Sequence, residues 1–152
     1  MSINIQRGAG GGGAAGGKVL QVVNATTSTA VQTTSDTMAD TTLTAAITPA
    51  NTANKILILI SQSISSAGGR AGGAVDILRG TTVIETYSQV SDPENMRANH
   101  FFPYLDSPSS TSEVVYKTQG ARIDQSGTVQ FQRNDASGNA VSNITLIELD
   151  YS

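Results

Sequence analysis

Lys55–Ile60 reads Lys-Ile-Leu-Ile-Leu-Ile, so every residue after the lysine is aliphatic. Six residues is short for a helix, and the enrichment in β-branched isoleucine points to a strand buried on both faces. The same reading extends in both directions. Lys18–Asn24 is a strand with Val19 on one face and Leu20 and Val22 on the other. The Thr-rich stretch Ala25–Thr48 holds only Asp36 and Asp40 as charges, which fits one or two exposed strands joined by polar turns. Pro49-Ala50-Asn51 is a turn signal, and Ser65–Gly73 reads as a Gly loop. Ala74–Leu78 and Thr82–Tyr87 flank Arg79-Gly80-Thr81 and form a hairpin. Asn99–Leu105 is aromatic, and its Pro103 belongs at a sheet edge or a bulge. Glu113–Thr118 and Gly127–Arg133 alternate, with Val114, Tyr116, Val129 and Phe131 as their apolar sets; Asn134–Asn139 is a turn cluster. The last strand, Asn143–Tyr151, sets Ile144 and Leu146 against one side and Ile147 and Leu149 against the other. A run of short strands with turn signals between them and no helical period gives the class: all-β, a sandwich or closed barrel.

A strand that is apolar on both faces needs a second partner, because a sandwich of this size has one core. In an oligomer that partner is another subunit. We therefore expect Ile144, Leu146, Ile147, Leu149 and Tyr151 at a subunit interface.

Composition narrows the function. The chain has 152 residues, near one domain. Charged residues make up 14%, while Gly, Ser and Thr together supply about a third. Cysteine and tryptophan are absent and His100 is the sole histidine. That excludes a disulfide scaffold, a Cys-ligated metal, a Cys nucleophile and any Ser–His triad that does not use His100. A net charge of −3, with Lys and Arg scattered, argues against nucleic acid as partner. No run of 18 apolar residues exists, so no membrane partner is expected, and the N-terminus lacks the basic start and apolar run of a secretion signal.

No reaction chemistry stands out. A glycosidase needs paired carboxylates in a cleft lined by aromatic platforms, and aromatics are 5% here. The nearest acids, Asp92 with Glu94 and Asp36 with Asp40, do not follow a calcium-loop pattern, so they read as solvated turn residues. Gly10–Gly17 is no phosphate loop, because Gly17-Lys18 continues into Val19 and no helix follows. We expect no enzyme, cofactor or metal.

Residues 1–17 stand apart as an arm, and 18–152 form the folded domain. Seven of the ten residues Gly8–Gly17 are glycine and the others alanine, a composition flexible on its own and ordered only where something holds it. Before it, Ile3, Asn4, Ile5, Gln6 and Arg7 lie in an alternating stretch that suits strand addition to a neighbouring chain. Arg70, Arg97, His100, Phe101 and Tyr104 form a candidate surface-contact patch.

Taken together, Gly17–Val23 (GKVLQVV), Ile47–Ser61 (ITPANTANKILILIS), Ile77–Ile84 (ILRGTTVI), Phe101–Gln119 (FFPYLDSPSSTSEVVYKTQ) and Ser142–Leu149 (SNITLIEL) resemble a family of small all-β virion proteins of tailed bacteriophages. Members serve as capsid decoration or cement proteins and as tail-fibre tips. The resemblance covers roughly Gly17–Asp150 and carries no catalytic signature. It implies an antiparallel β-sandwich of jelly-roll type, often a homotrimer with the last strand near the shared axis. It further implies a virion location and the phage major capsid protein as partner. In fibre proteins a long attachment region precedes this module. A 17-residue arm reaches at most about 55–60 Å, which favours the cement role over a tail-fibre tip that binds a host receptor.

Overall fold

The computed structural model describes residues 17–69, 71–89, 97–123, 126–135 and 138–152. The arm residues Ile3–Arg7, Arg70 and the loop acids Asp92 and Glu94 lie outside them. Regular structure among the described residues is entirely β. The strands are β1 (Val19–Thr27), β2 (Val31–Thr33), β3 (Ala39–Ile47), β4 (Lys55–Ala67), β5 (Gly72–Arg79), β6 (Thr82–Gln89), β7 (Arg97–Asp106), β8 (Val114–Ile123), β9 (Thr128–Phe131), β10 (Asn134–Asp135), β11 (Gly138–Asn139) and β12 (Ser142–Leu149).

They form two antiparallel sheets and a short β10–β11 ladder. The first sheet is organised by β4. One side of β4 pairs with β12 over Lys55–Ser61 and then with β9 over Ile64–Ala67, while its other side pairs with β7. β1 pairs with β12 and β2 with β9, so each of these pairs continues the other end to end. The first sheet thus has four positions: β1/β2, β12/β9, β4 and β7. The second has the order β3-β8-β5-β6. The all-β sandwich read from the period-two pattern is the fold of the molecule.

Alternation explains which side chains meet. Successive residues of a strand point to opposite faces, so β12 sends Ser142, Ile144, Leu146 and Glu148 inward and β4 sends Ile56, Ile58 and Ile60. From the second sheet Leu43, Ala45 and Ile47 of β3, Val75 and Ile77 of β5 and Tyr116 of β8 meet them, and Phe131 of β9 fills one end. Burying each of these large side chains contributes about 1.5–3 kcal/mol.

Several sequence expectations need correction. Lys55–Ile60 is not buried on both faces: the isoleucines are inside, and Leu57 and Leu59 are half-buried on the outside. β4 does not stop at Ile60 but runs on through Ser-rich sequence to Ala67, and β5 starts at Gly72, so both ends of the Gly loop expected at Ser65–Gly73 are strand. The Thr-rich segment is not wholly exposed, because β3 buries Thr41, Leu43, Ala45 and Ile47. Pro103 does sit on an edge strand, since among the described residues β7 pairs with β4 alone.

Candidate functional site

Three carboxylates among the described residues are taken up by the fold. Asp106, at the end of β7, is buried beneath the rim where the two sheets meet. Arg79 Nη1 of β5 donates to both of its oxygens at 3.0 Å, and Tyr116 Oη of β8 donates to Oδ2 at 2.7 Å. Burial and the adjacent carboxylate push the Tyr116 phenol well above the usual tyrosine range. Glu148 of β12 is fully buried and accepts from Gln21 Nε2 (2.6 Å), Asn54 Nδ2 (2.7 Å) and the Ala50 N–H (2.7 Å). Burial alone would raise its pKa, but these three donors outweigh it and hold the carboxyl below the ordinary range. Asp40 accepts from Lys117 Nζ at 2.8 Å and Gln119 Nε2 at 2.8 Å, and these bonds lower its pKa despite exposure. Among the described residues no three His, Asp or Glu side chains gather as a metal site. No helix there is long and apolar enough to cross a membrane.

A second cluster is neutral. Gln62, Thr118, Thr41, Gln132 and Ser142 are all fully buried. Thr118 Oγ1 donates to Gln62 Oε1 at 2.9 Å, and Thr41 and Thr118 share a hydroxyl hydrogen bond. The Gln132 amide nitrogen donates to the carbonyls of Thr41 (3.0 Å) and Thr29 (3.2 Å), and its oxygen accepts from Ser142 Oγ (2.7 Å). Every member has partners within the chain, so the cluster welds the sheets rather than awaiting a ligand.

The contact patch expected from sequence does not hold together. β7 alternates, so His100 and Tyr104 turn toward the core side while Arg97 and Phe101 lie on the outer face. His100 stacks at 6.3 Å from Phe102, which packs 4.7 Å from Tyr87, and burial lowers the His100 pKa. Tyr87 Oη donates to the Pro103 carbonyl at 2.7 Å, joining the edges of the two sheets.

The residues expected at a subunit interface also divide. Ile144 and Leu146 have no exposed surface, because they are spent in the chain's own core. Ile147 and Leu149 lie on the outer face, and Tyr151 sits beyond the strand with Lys55 Nζ 4.6 Å above its ring.

Strand register builds something the sequence did not disclose. Val22 pairs with Ile147, Ile147 with Leu57, and Leu57 with Leu105. Directly paired residues share a face, so these four aliphatic side chains form one unbroken row across the outside of the first sheet. Beside it, Leu59 pairs with Pro103, and Phe101 follows on β7. The outer face of the second sheet is different in kind. There the row is Asp40, Gln119, Asp76 and Thr86. The candidate site is therefore a surface, the aliphatic outer face of the first sheet.

Comparison with known proteins gives no family. No family model matches the chain, and no curated protein does. Among solved structures it is similar to "Structure of infectious bursal disease virus Gx strain", at 11% identity and a TM-score of 0.31. The match covers 86% of this chain and 41% of that one, so the chain spans about two fifths of that structure's length. A likeness this low carries no argument, and the reading rests on the residues themselves.

Val22, Leu57 and Leu105 were missed for a physical reason. Each is one aliphatic residue in a strand that also feeds the core, and only the pairing register brings the three together with Ile147. The available signal was weak: the residues alternating with Ile56, Ile58 and Ile60 are themselves leucines.

Proposed function

We propose that this chain is a virion structural protein, a trimeric decoration or cement protein on the head of a tailed bacteriophage. The observation that carries the reading is the strand order. Counting β1/β2 and β9/β12 as one strand each gives eight, which pair 1-8-3-6 in one sheet and 2-7-4-5 in the other. This nesting is what two interleaved Greek keys produce, and we read it as a jelly roll, an architecture used by viral capsid domains as well as lectins and cupins. Fold alone does not choose among those. Two further features favour the virion role: the carboxylates above are committed to holding the sheets, and one sheet presents an aliphatic outer face. We read the protein as a rigid binding knob with no catalytic role, located on the capsid surface. Its partners are its own copies and the major capsid protein.

The mechanism is mass action. A ligand that binds only the assembled shell stabilises that shell in proportion to occupancy. Three arms, carried by one trimer, add avidity while each buries little surface. The arm's alternating Ile3–Arg7 stretch is the segment suited to pair with a capsid strand.

The test uses heads of the encoding phage stripped of this protein. Full-length protein and a form lacking residues 1–17 are added separately. We expect only the full-length protein to rebind and to raise the melting temperature of the heads. Failure to bind heads, with binding to tails or to host cells instead, overturns the cement role in favour of adsorption.

A further inference from the structure

We infer that the aliphatic outer face of the first sheet is where copies of this chain pack against one another. This rests on the oligomeric reading above and fixes which surface makes the contact. The row Val22–Ile147–Leu57–Leu105 spans the sheet from edge to edge. Its two ends are open, with Val22 57% and Leu105 44% exposed, and Phe101 nearby is 62% exposed. Soluble monomers tolerate scattered apolar residues, but contiguous patches beyond a few hundred Å² mark interaction sites.

Size comes first. Four strands about 4.8 Å apart are about 19 Å across, and the seven residues Lys55–Ser61 at about 3.4 Å each run about 24 Å. The outline, polar flanks included, is roughly 450 Å², about half of the roughly 800 Å² that each partner gives to a standard interface. The surroundings fit the same anatomy of apolar centre and polar rim. Asn24 and Thr145 are hydrogen-bonded to each other at 2.8 Å on one flank, Asn143 and Ser61 lie further along, and Lys55 with Tyr151 closes the near end.

Charge selects the occupant. The chain carries −3, so two copies repel wherever acids face each other. The second sheet's outer row holds two carboxylates, Asp40 paired with Lys117 and the buried Asp76 bonded to Thr86, whereas the aliphatic row holds no charged group. An uncharged aliphatic face lets two copies of a chain of net charge −3 meet without setting like charges against each other. The chain's own arm is too poor to cover it. Residues 1–16 offer Met1, Ile3 and Ile5 as large apolar side chains, against seven aliphatic or aromatic positions spread over four strands.

The experiment measures the mass of the full chain in solution by sedimentation equilibrium, with circular dichroism and melting recorded in parallel. The variant is Val22→Glu with Leu105→Glu, both on edge strands and already exposed. The control is Val83→Glu with Val115→Glu, exposed on the second sheet. We expect the wild type and the control to be oligomers. We expect the Val22/Leu105 variant to fold but associate more than about 100-fold more weakly, because like charges then face one another across the contact. If that variant does not fold, Phe101→Glu replaces it, with the same expected loss of mass. An oligomer that persists in the folded variant overturns this inference and leaves the trimer reading standing. A wild-type dimer dissociated by the variant supports the face but overturns the trimer. A wild-type monomer overturns both.

Discussion

Gly120 shows how much a single position carries. It sits in β8 opposite Val75 and Ala39, and its Cα lies beneath the Phe131 ring. A Cβ built there falls 2.1 Å from Phe131 Cζ, and Phe131 is itself fully buried. The glycine is needed for room, since its backbone is not among those with positive φ. Gly120→Ala is expected to cost about 1–3 kcal/mol by overpacking, measured by urea unfolding. Adding Phe131→Leu frees space for the methyl, so the double variant should be more stable than the sum of the two single losses by about 1 kcal/mol. Simple additivity would show that the ring moves aside without cost. Nothing in the sequence flags this glycine, because Phe131 is eleven residues away and on another sheet.

At the scale of elements, the clasp at Asp106 joins β7 of one sheet to β5 and β8 of the other. Its members differ in what they lose. Asp106→Asn keeps an oxygen for Tyr116 Oη but removes the charge facing Arg79. Because the Arg79 side chain is a third exposed, solvent screens that loss, and about 1–2 kcal/mol is expected. Asp106→Ala also strands the buried Tyr116 hydroxyl and should cost about 1–3 kcal/mol more. Tyr116→Phe added to Asp106→Ala should recover part of that second loss, read from the same unfolding curves; no recovery would mean the phenol was never tied to the carboxylate. The hairpin Ala74–Tyr87 was legible from sequence because its turn is local, with Gly80 at φ 61° between paired strands. The reach of β4 to Ala67 was not. Ser65 and Ser66 read as the start of a Gly loop, and only their pairing with β9 makes them strand. Likewise nothing local in the sequence singles out Asp106, because its partners Arg79 and Tyr116 lie on two other strands. The interface assignment half-failed at β12 for a related reason: alternation divides the strand, so Ile144 and Leu146 serve the core while Ile147 and Leu149 remain outside.

For the molecule as a whole, the titrating groups with resolved shifts in the carboxylate and histidine ranges all move stability in one direction. His100 has its pKa lowered by burial from an ordinary 6.5, so the unfolded chain takes up a proton before the folded one does. Its contribution is full above about pH 6.5 and declines as pH falls through that value. Glu148 and Asp40 are also lowered, from 4.5 and 3.8, by the hydrogen bonds they accept in the fold. Their stabilisation is present above those values and is lost as pH falls toward their folded pKa values. The expected melting profile is flat above pH 7, dips slightly on passing pH 6.5 and falls steeply below pH 4.5. Replacing His100 by Phe should remove the first dip and leave the second. Glu148→Gln should lower the plateau by about 1–3 kcal/mol, since its added amide donor faces the donors of Gln21, Asn54 and Ala50, and should make the acid fall shallower. The onset of that fall belongs to the end of the sandwich where Lys18 and Asp150 meet, because Glu148, with the higher ordinary value, ties β1, the turn before β4 and the last strand together there, while Asp40 acts at lower pH. Hydrogen exchange at pH 4 should therefore show that end opening before the Phe131 end; uniform opening of both ends would show that Glu148 is not the acid-sensitive joint.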